Sequence, residues 1–197
     1  NTMSALAKEI AHDDVELELA EFMATFYSNP LGHVIASYPW GEGQLIGRDG
    51  PDVWQREFLI ELGEEIKKRG FNGIEGVDPI QFCTASGHGI GKSCMTAWLV
   101  NFIMDTRAFC KGVVTANTAE QLRTKTWSEV AKWHNLKLTK HWYILNAGGG
   151  GSMNMYHKVH KETWRVDAMT CREENSEAFA GLHSASSTPF YIFDEAS

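Results

Sequence analysis

Cysteine is scarce in this chain, and the four present, Cys83, Cys94, Cys110 and Cys171, form no CxxC pair and no metal-ligand spacing. Three of them sit in apolar stretches, where a free thiol packs as a small hydrophobe, and the expected setting is a reducing cytosol. Long apolar runs are missing too: none reaches the roughly 18 residues that span a bilayer, so no membrane partner is expected. No charged-then-apolar signal segment starts the sequence. The histidines show neither HxxxH nor HExxH spacing, which reads as scattered polar side chains rather than a metal site. There is no internal repeat.

What is there is enough apolar residue, 43% of 197, to bury a real core. The length fits one domain with a helical lead, divided here as a lead over 1–50 and the main domain over 51–197. The net charge of −7 is uneven: residues 1–80 carry −9, residues 111–166 carry +6 and the remainder −4. A basic middle in an acidic chain marks either a polyanion contact or a solvated lysine-bearing helix face.

Residues 3–27 read as one or two helices, with Asp13 and Asp14 as caps for a second. "GRDGP" at 47–51 is a turn, after which Pro51 opens a helix that Gly70 closes. "PIQFCTA" at 79–85 and "CKGVVTA" at 110–116 fit buried strands, with an apolar helix over 93–105 between them. Thr118 and Gln121 fit a capping box for a helix to about His134. "MNMYHKVH" (153–160) and "TWRVDAMTC" (163–171) predict a hairpin, residues 174–183 a short helix, and "PFYIFDEAS" a strand ending in a turn. Residues 148–152, four glycines and a serine, read as a natural glycine loop or as a flexible linker. Strands alternating with helices predict an α/β fold with a mainly parallel sheet.

The stretch "SGHGIGKS" (86–93) lies between a predicted strand and a predicted helix, where a phosphate-binding loop belongs. Backbone N–H groups of such a loop cradle phosphates, the lysine reaches the β- and γ-phosphates, and the next hydroxyl binds Mg²⁺. On this reading Ser86, Gly87, His88, Gly89, Ile90, Gly91, Lys92, Ser93 and Cys94 line the nucleotide, and the cofactors are ATP and Mg²⁺. Ser86 departs from the GxxxxGK[ST] pattern, which has glycine there. "FYIFDE" supplies the matching half. A strand ending in an acid sets a carboxylate at the sheet edge where phosphates and Mg²⁺ bind, so Asp194 and Ser93 become metal ligands and Glu195 the base for the attacking water. These motifs predict a P-loop NTPase core of the ASCE, RecA-like type, cut after the strand that carries Asp194.

Taken in order, "NPLGHVIASYPWGEG", "GPDVWQREFL", "ASGHGIGKS", "VVTANTAEQLRTKTW", "WRVDAMTCREENSEAFAGLHS" and "FYIFDEAS" resemble the ATPase region of the large terminase subunit of tailed bacteriophages, the motor that packages DNA into capsids. The resemblance implies that Gln55 reads adenine, the other reading being a polar residue on an amphipathic helix. It implies that Lys92 and Glu195 are catalytic. It makes Arg172 the arginine finger, with Arg123 the alternative and a surface pairing to Glu173 or Glu174 the plain reading. "TANTAEQ" (115–121) looks like a segment that faces nucleic acid. The implied partners are double-stranded DNA, the small terminase subunit, the portal of the procapsid and further copies of the chain in a ring; the implied location is the cytoplasm of an infected bacterium. The later core strands and the nuclease domain of such subunits are absent from the sequence, so a fragment without nuclease activity is expected. A helicase-like ATPase and a nucleotide-binding regulatory module stand as the other readings.

Overall fold

The computed structural model describes residues 2–70, 91–170 and 188–194, with only the helical backbone given for 2–12. The predicted strand 79–85, Ser86, Gly87, His88, Gly89, Ile90, Cys83, Cys171, Arg172, the predicted helix 174–183 and Glu195 lie outside the described residues.

The lead forms α1 (Thr2–Ala24) and α2 (Pro30–Ser37). α1 runs unbroken past Asp13 and Asp14, so neither caps a second helix. The cap falls instead at Asn29, whose side chain accepts from Gly32 N at 2.9 Å, with Pro30 in the first turn. The lead is built into the core. Trp142 Nε1 donates to Glu16 Oε2 of α1 at 2.7 Å. After α2, Tyr38 and Trp40 pack edge-on against Trp133 and Trp98, with Tyr38–Trp133 and Trp98–Trp133 ring centroids 4.9 and 5.3 Å apart.

α3 (Val53–Arg69) starts at the N-cap Asp52, one residue after Pro51. Its buried residues Gln55, Leu59, Gly63 and Ile66 form a single stripe at helical spacing. Lys67, Lys68 and Arg69 complement the negative end of the helix, and Gly70 closes it at φ 59°, the left-handed conformation glycine adopts without cost. α4 (Lys92–Thr106) is the central helix: Met95, Ala97, Trp98, Val100, Phe102 and Met104 are all buried.

β1 (Lys111–Ala116) is followed by α5 (Ala119–Gln121), a π-helical turn Leu122–Thr126 and α6 (Trp127–Leu136). Only half of the expected capping box forms: Thr118 Oγ1 accepts from Gln121 N at 3.1 Å, while the buried Gln121 Oε1 has no hydrogen-bond partner among the described residues. The expected single α-helix is therefore interrupted, with Trp127 N bonding five residues back to Leu122 O.

β2 (Tyr143–Ala147), β3 (Met153–His157), β4 (Arg165–Ala168) and β5 (Pro189–Asp194) complete a five-stranded sheet in the order β2-β3-β4-β1-β5. β1 pairs in parallel with β4 and β5, while β2–β3 and β3–β4 are antiparallel. Among the described residues the sheet is thus mixed α/β architecture, a correction to the mainly parallel expectation. The cause is loop length: the short connections within 143–168 can join only antiparallel neighbours, whereas parallel neighbours need a crossover. The glycine patch is the turn of the β2–β3 hairpin, where Gly148 and Gly151 have φ of 100° and 94° and Gly151 N donates to Gly148 O at 3.1 Å. In β1, Gly112 is demanded by packing, because a Cβ there would run into the Phe190 ring of β5. No helix among the described residues is long and apolar enough to cross a membrane.

Candidate nucleotide and metal site

Three elements meet at the start of α4. Gly91, its N-cap, has φ 84°, and a Cβ there would lie 2.5 Å from Gln55 Nε2 and 3.2 Å from Trp54. Both backbone conformation and the close approach of α3 therefore require glycine at this position. Lys92 and Ser93 follow as the first two residues of α4 and are half-buried.

β5 delivers the acid. Its burial alternates, with Phe190 and Ile192 turned toward the core and Tyr191 and Phe193 exposed on the other face. Asp194 falls on the same face as Phe190 and Ile192 and is 5% exposed at the C-terminal end of the strand. Ser93 Oγ donates to Asp194 Oδ2 at 3.4 Å, across 101 residues of sequence. The two predicted metal ligands are thus brought together. The pair would suit Mg²⁺, since both groups are hard oxygen donors at a spacing near the roughly 3 Å between neighbouring ligands of such an ion.

Gln55 is 1% exposed, so it is not a solvated residue on an amphipathic face. Its Oε1 accepts from Asp52 N at 2.9 Å and its Nε2 donates to Gly91 O at 3.2 Å, tying the start of α3 to the N-cap of α4. Gln55→Ala is expected to cost about 1 kcal/mol, because it removes two part-buried hydrogen bonds to backbone, and to reduce the preference for ATP over GTP. Urea unfolding and competition binding of the two nucleotides check this; parental values in both would leave Gln55 without either role.

Cys94 is partly buried, and its thiol is pushed up to about 12, first by burial and then by Glu129. It stays a neutral thiol and contributes packing rather than nucleophilic or metal chemistry. Cys110, fully buried in the core, is raised in the same way.

The basic segment is thinner than its charge count. Lys137 is 2% exposed and its Nζ lies 3.1 Å from Asp105 Oδ1. Arg165 is paired with Asp167 at 2.6 Å. Arg123, Lys125 and Lys132 are exposed, the first two on the π-helical turn. Beside Arg123 lies a shallow depression lined also by Ala119, Glu120 and the glycine turn.

Sequence reasoning missed two groups. Thr126, fully buried, donates from Oγ1 to Asp194 Oδ2 at 2.8 Å. Asp105 gathers His33, Lys137, Thr139 and Tyr143 around one buried carboxylate, at 2.8, 3.1, 2.8 and 2.8 Å. The only local signal for the second was an acid inside an otherwise apolar helix, "FIMDT". Compared with protein-family models, curated proteins and solved structures, the chain matches none.

Proposed function

We propose that this chain is a Mg²⁺-dependent ATPase module of a motor that moves double-stranded DNA, of the kind found in the packaging subunit of tailed phages. One observation carries the ATPase reading: the hydroxyl that follows Gly91-Lys92 lies 3.4 Å from the acid ending β5, so the three residues read as phosphate lysine, metal hydroxyl and metal carboxylate meet at one end of α4. The packaging reading is supported by the ordered sequence resemblance. In this reading Lys92 binds the γ-phosphate, Ser93 and Asp194 hold the metal, and Glu195 takes the proton of the attacking water. When bound, Mg²⁺ neutralises charge on the transferring phosphoryl group. The positive N-terminal end of α4 faces the same anion. Arg172 supplies transition-state charge stabilisation from outside the loop. DNA, the small subunit, the portal and a ring of copies are the partners, in the cytoplasm of the infected cell.

The test is phosphate release with and without linear duplex. Duplex should stimulate Mg²⁺-dependent turnover, and more weakly as salt rises. Arg123→Glu with Lys125→Glu should lower the salt-dependence slope of duplex binding by about 2, since each phosphate contact contributes about one unit, with no change in sequence preference. Absence of Mg²⁺-dependent phosphate release by the parent overturns the ATPase reading. An unchanged slope places the DNA contacts elsewhere.

A further inference from the structure

We infer that Thr126 is a positioning residue for the metal carboxylate Asp194, set in place by the π-helical turn; this rests on the nucleotide-site reading above. Asp194 Oδ2 accepts two hydroxyl hydrogen bonds, a long one of 3.4 Å from Ser93 and a short one of 2.8 Å from Thr126. Ser93 is itself a metal ligand in that reading, so Thr126 is the outer partner that fixes the carboxylate's rotation. Groups of this kind, bonded to a ligand but not to the metal, tune metal affinity by orienting the ligand.

The backbone explains how a threonine from the surface-reading "RTKTW" reaches this position. Leu122–Thr126 is wound with one extra residue per turn, and Trp127 N bonds back to Leu122 O. Thr126 and its neighbour Trp127 are both fully buried. Trp127 is anchored by donating from Nε1 to Asn146 O of β2 at 2.9 Å. Arg123, Thr124 and Lys125 of the same turn stay exposed. π-turns inserted into α-helices occur often at functional sites, and this one sets a hydroxyl against the carboxylate while its outer face carries two cations.

The experiment measures Mg²⁺ binding by calorimetry with a non-hydrolysable ATP analogue, and phosphate release against free Mg²⁺ at fixed Mg·ATP, for the parent, Thr126→Val, Thr126→Ser, Thr126→Ala and Lys92→Ala. Valine keeps the shape and removes the donor; serine keeps the donor. The Mg²⁺ concentration for half-maximal binding and turnover should rise about tenfold in Thr126→Val. Thr126→Ala should show the same shift, and Thr126→Ser should return it to the parental value. A purely structural role would lower the maximal rate and leave the half-saturating Mg²⁺ unchanged, and that result overturns the inference. If Lys92→Ala loses turnover while both hydroxyl-free variants keep the parental Mg²⁺ dependence, Thr126 is excluded and the nucleotide site stands. If the parent shows no Mg²⁺-dependent turnover, the site reading fails and the role of Thr126 fails with it.

Discussion

Lys92→Ala is expected to lower Mg²⁺-dependent ATP turnover by about 10²–10³-fold, the usual loss when one preorganised charge contact to the transition state is removed. Lys92 is the first residue of α4, directly after the left-handed Gly91 and directly before the hydroxyl that meets Asp194. A cation on this step would join the helix N-terminus in attracting a bound phosphate. The change removes no helix cap, since the cap is Gly91, and it leaves the Gln55–Gly91 bond untouched. The loss should therefore appear in phosphate release while the urea unfolding midpoint stays near the parent. Wild-type turnover in this variant would remove the phosphate-loop assignment.

Asp105→Ala is expected to destabilise the fold by about 3–5 kcal/mol, because it leaves Lys137 as a buried ammonium without its counter-charge. The carboxylate ties α2 through His33 to α4, to the turn at 137–139 and to β2 through Tyr143. His33 must donate from Nε2, since an ionised carboxylate only accepts. Burial pushes the Asp105 carboxyl up, but Lys137, His33 and Tyr143 together outweigh it and hold the group below the ordinary carboxylate range. Its stabilisation is present above the unfolded carboxylate value of about 3.9 and is lost as pH falls through the lower folded value.

His134 responds earlier. Burial first, then Lys137, lowers it to about 3. Between the unfolded histidine value of about 6.5 and that point the unfolded chain binds more protons, so stability falls as pH falls. Unfolding midpoints from pH 7 to pH 4 should decline in the parent and decline less in His134→Phe. An Asp105→Ala midpoint equal to the parent's would show that Lys137 reaches water.

Several local features were legible because they rest on neighbours in sequence. The stop of α3 at Gly70 follows from glycine's access to positive φ, and the Thr118 cap from a hydroxyl three residues before a free N–H. The burial of β1 follows from an apolar run too short for a helix. The end of β5 in an acid, and the glycine before Lys92, could be read directly, and these were enough to place Ser93 and Asp194 in one site. Sequence alone thus determined the types of α1, α3, α4, β1, β3, β4 and β5 and named Ser93 and Asp194 as neighbours in one candidate site.

Only the tertiary structure decided where polar groups inside those elements point. Gln55 looked like an amide that was either solvated or nucleotide-reading; its burial removes the solvated reading, because the close approach of α3 to Gly91 places a carbonyl within its reach. Lys137 counted toward a basic surface until Asp105, 32 residues earlier, supplied a buried counter-charge. Asp13 and Asp14 offered caps that α1 did not use. Thr126 is a partner of Asp194 from within a π-helical turn, and a local departure from the 3.6-residue period cannot be read from an α-helical pattern. The sheet's direction was decided in part the same way: the hairpin over 153–171 was legible, but its place beside β1 in one mixed sheet, with β2 added on its far side by a short turn, was not.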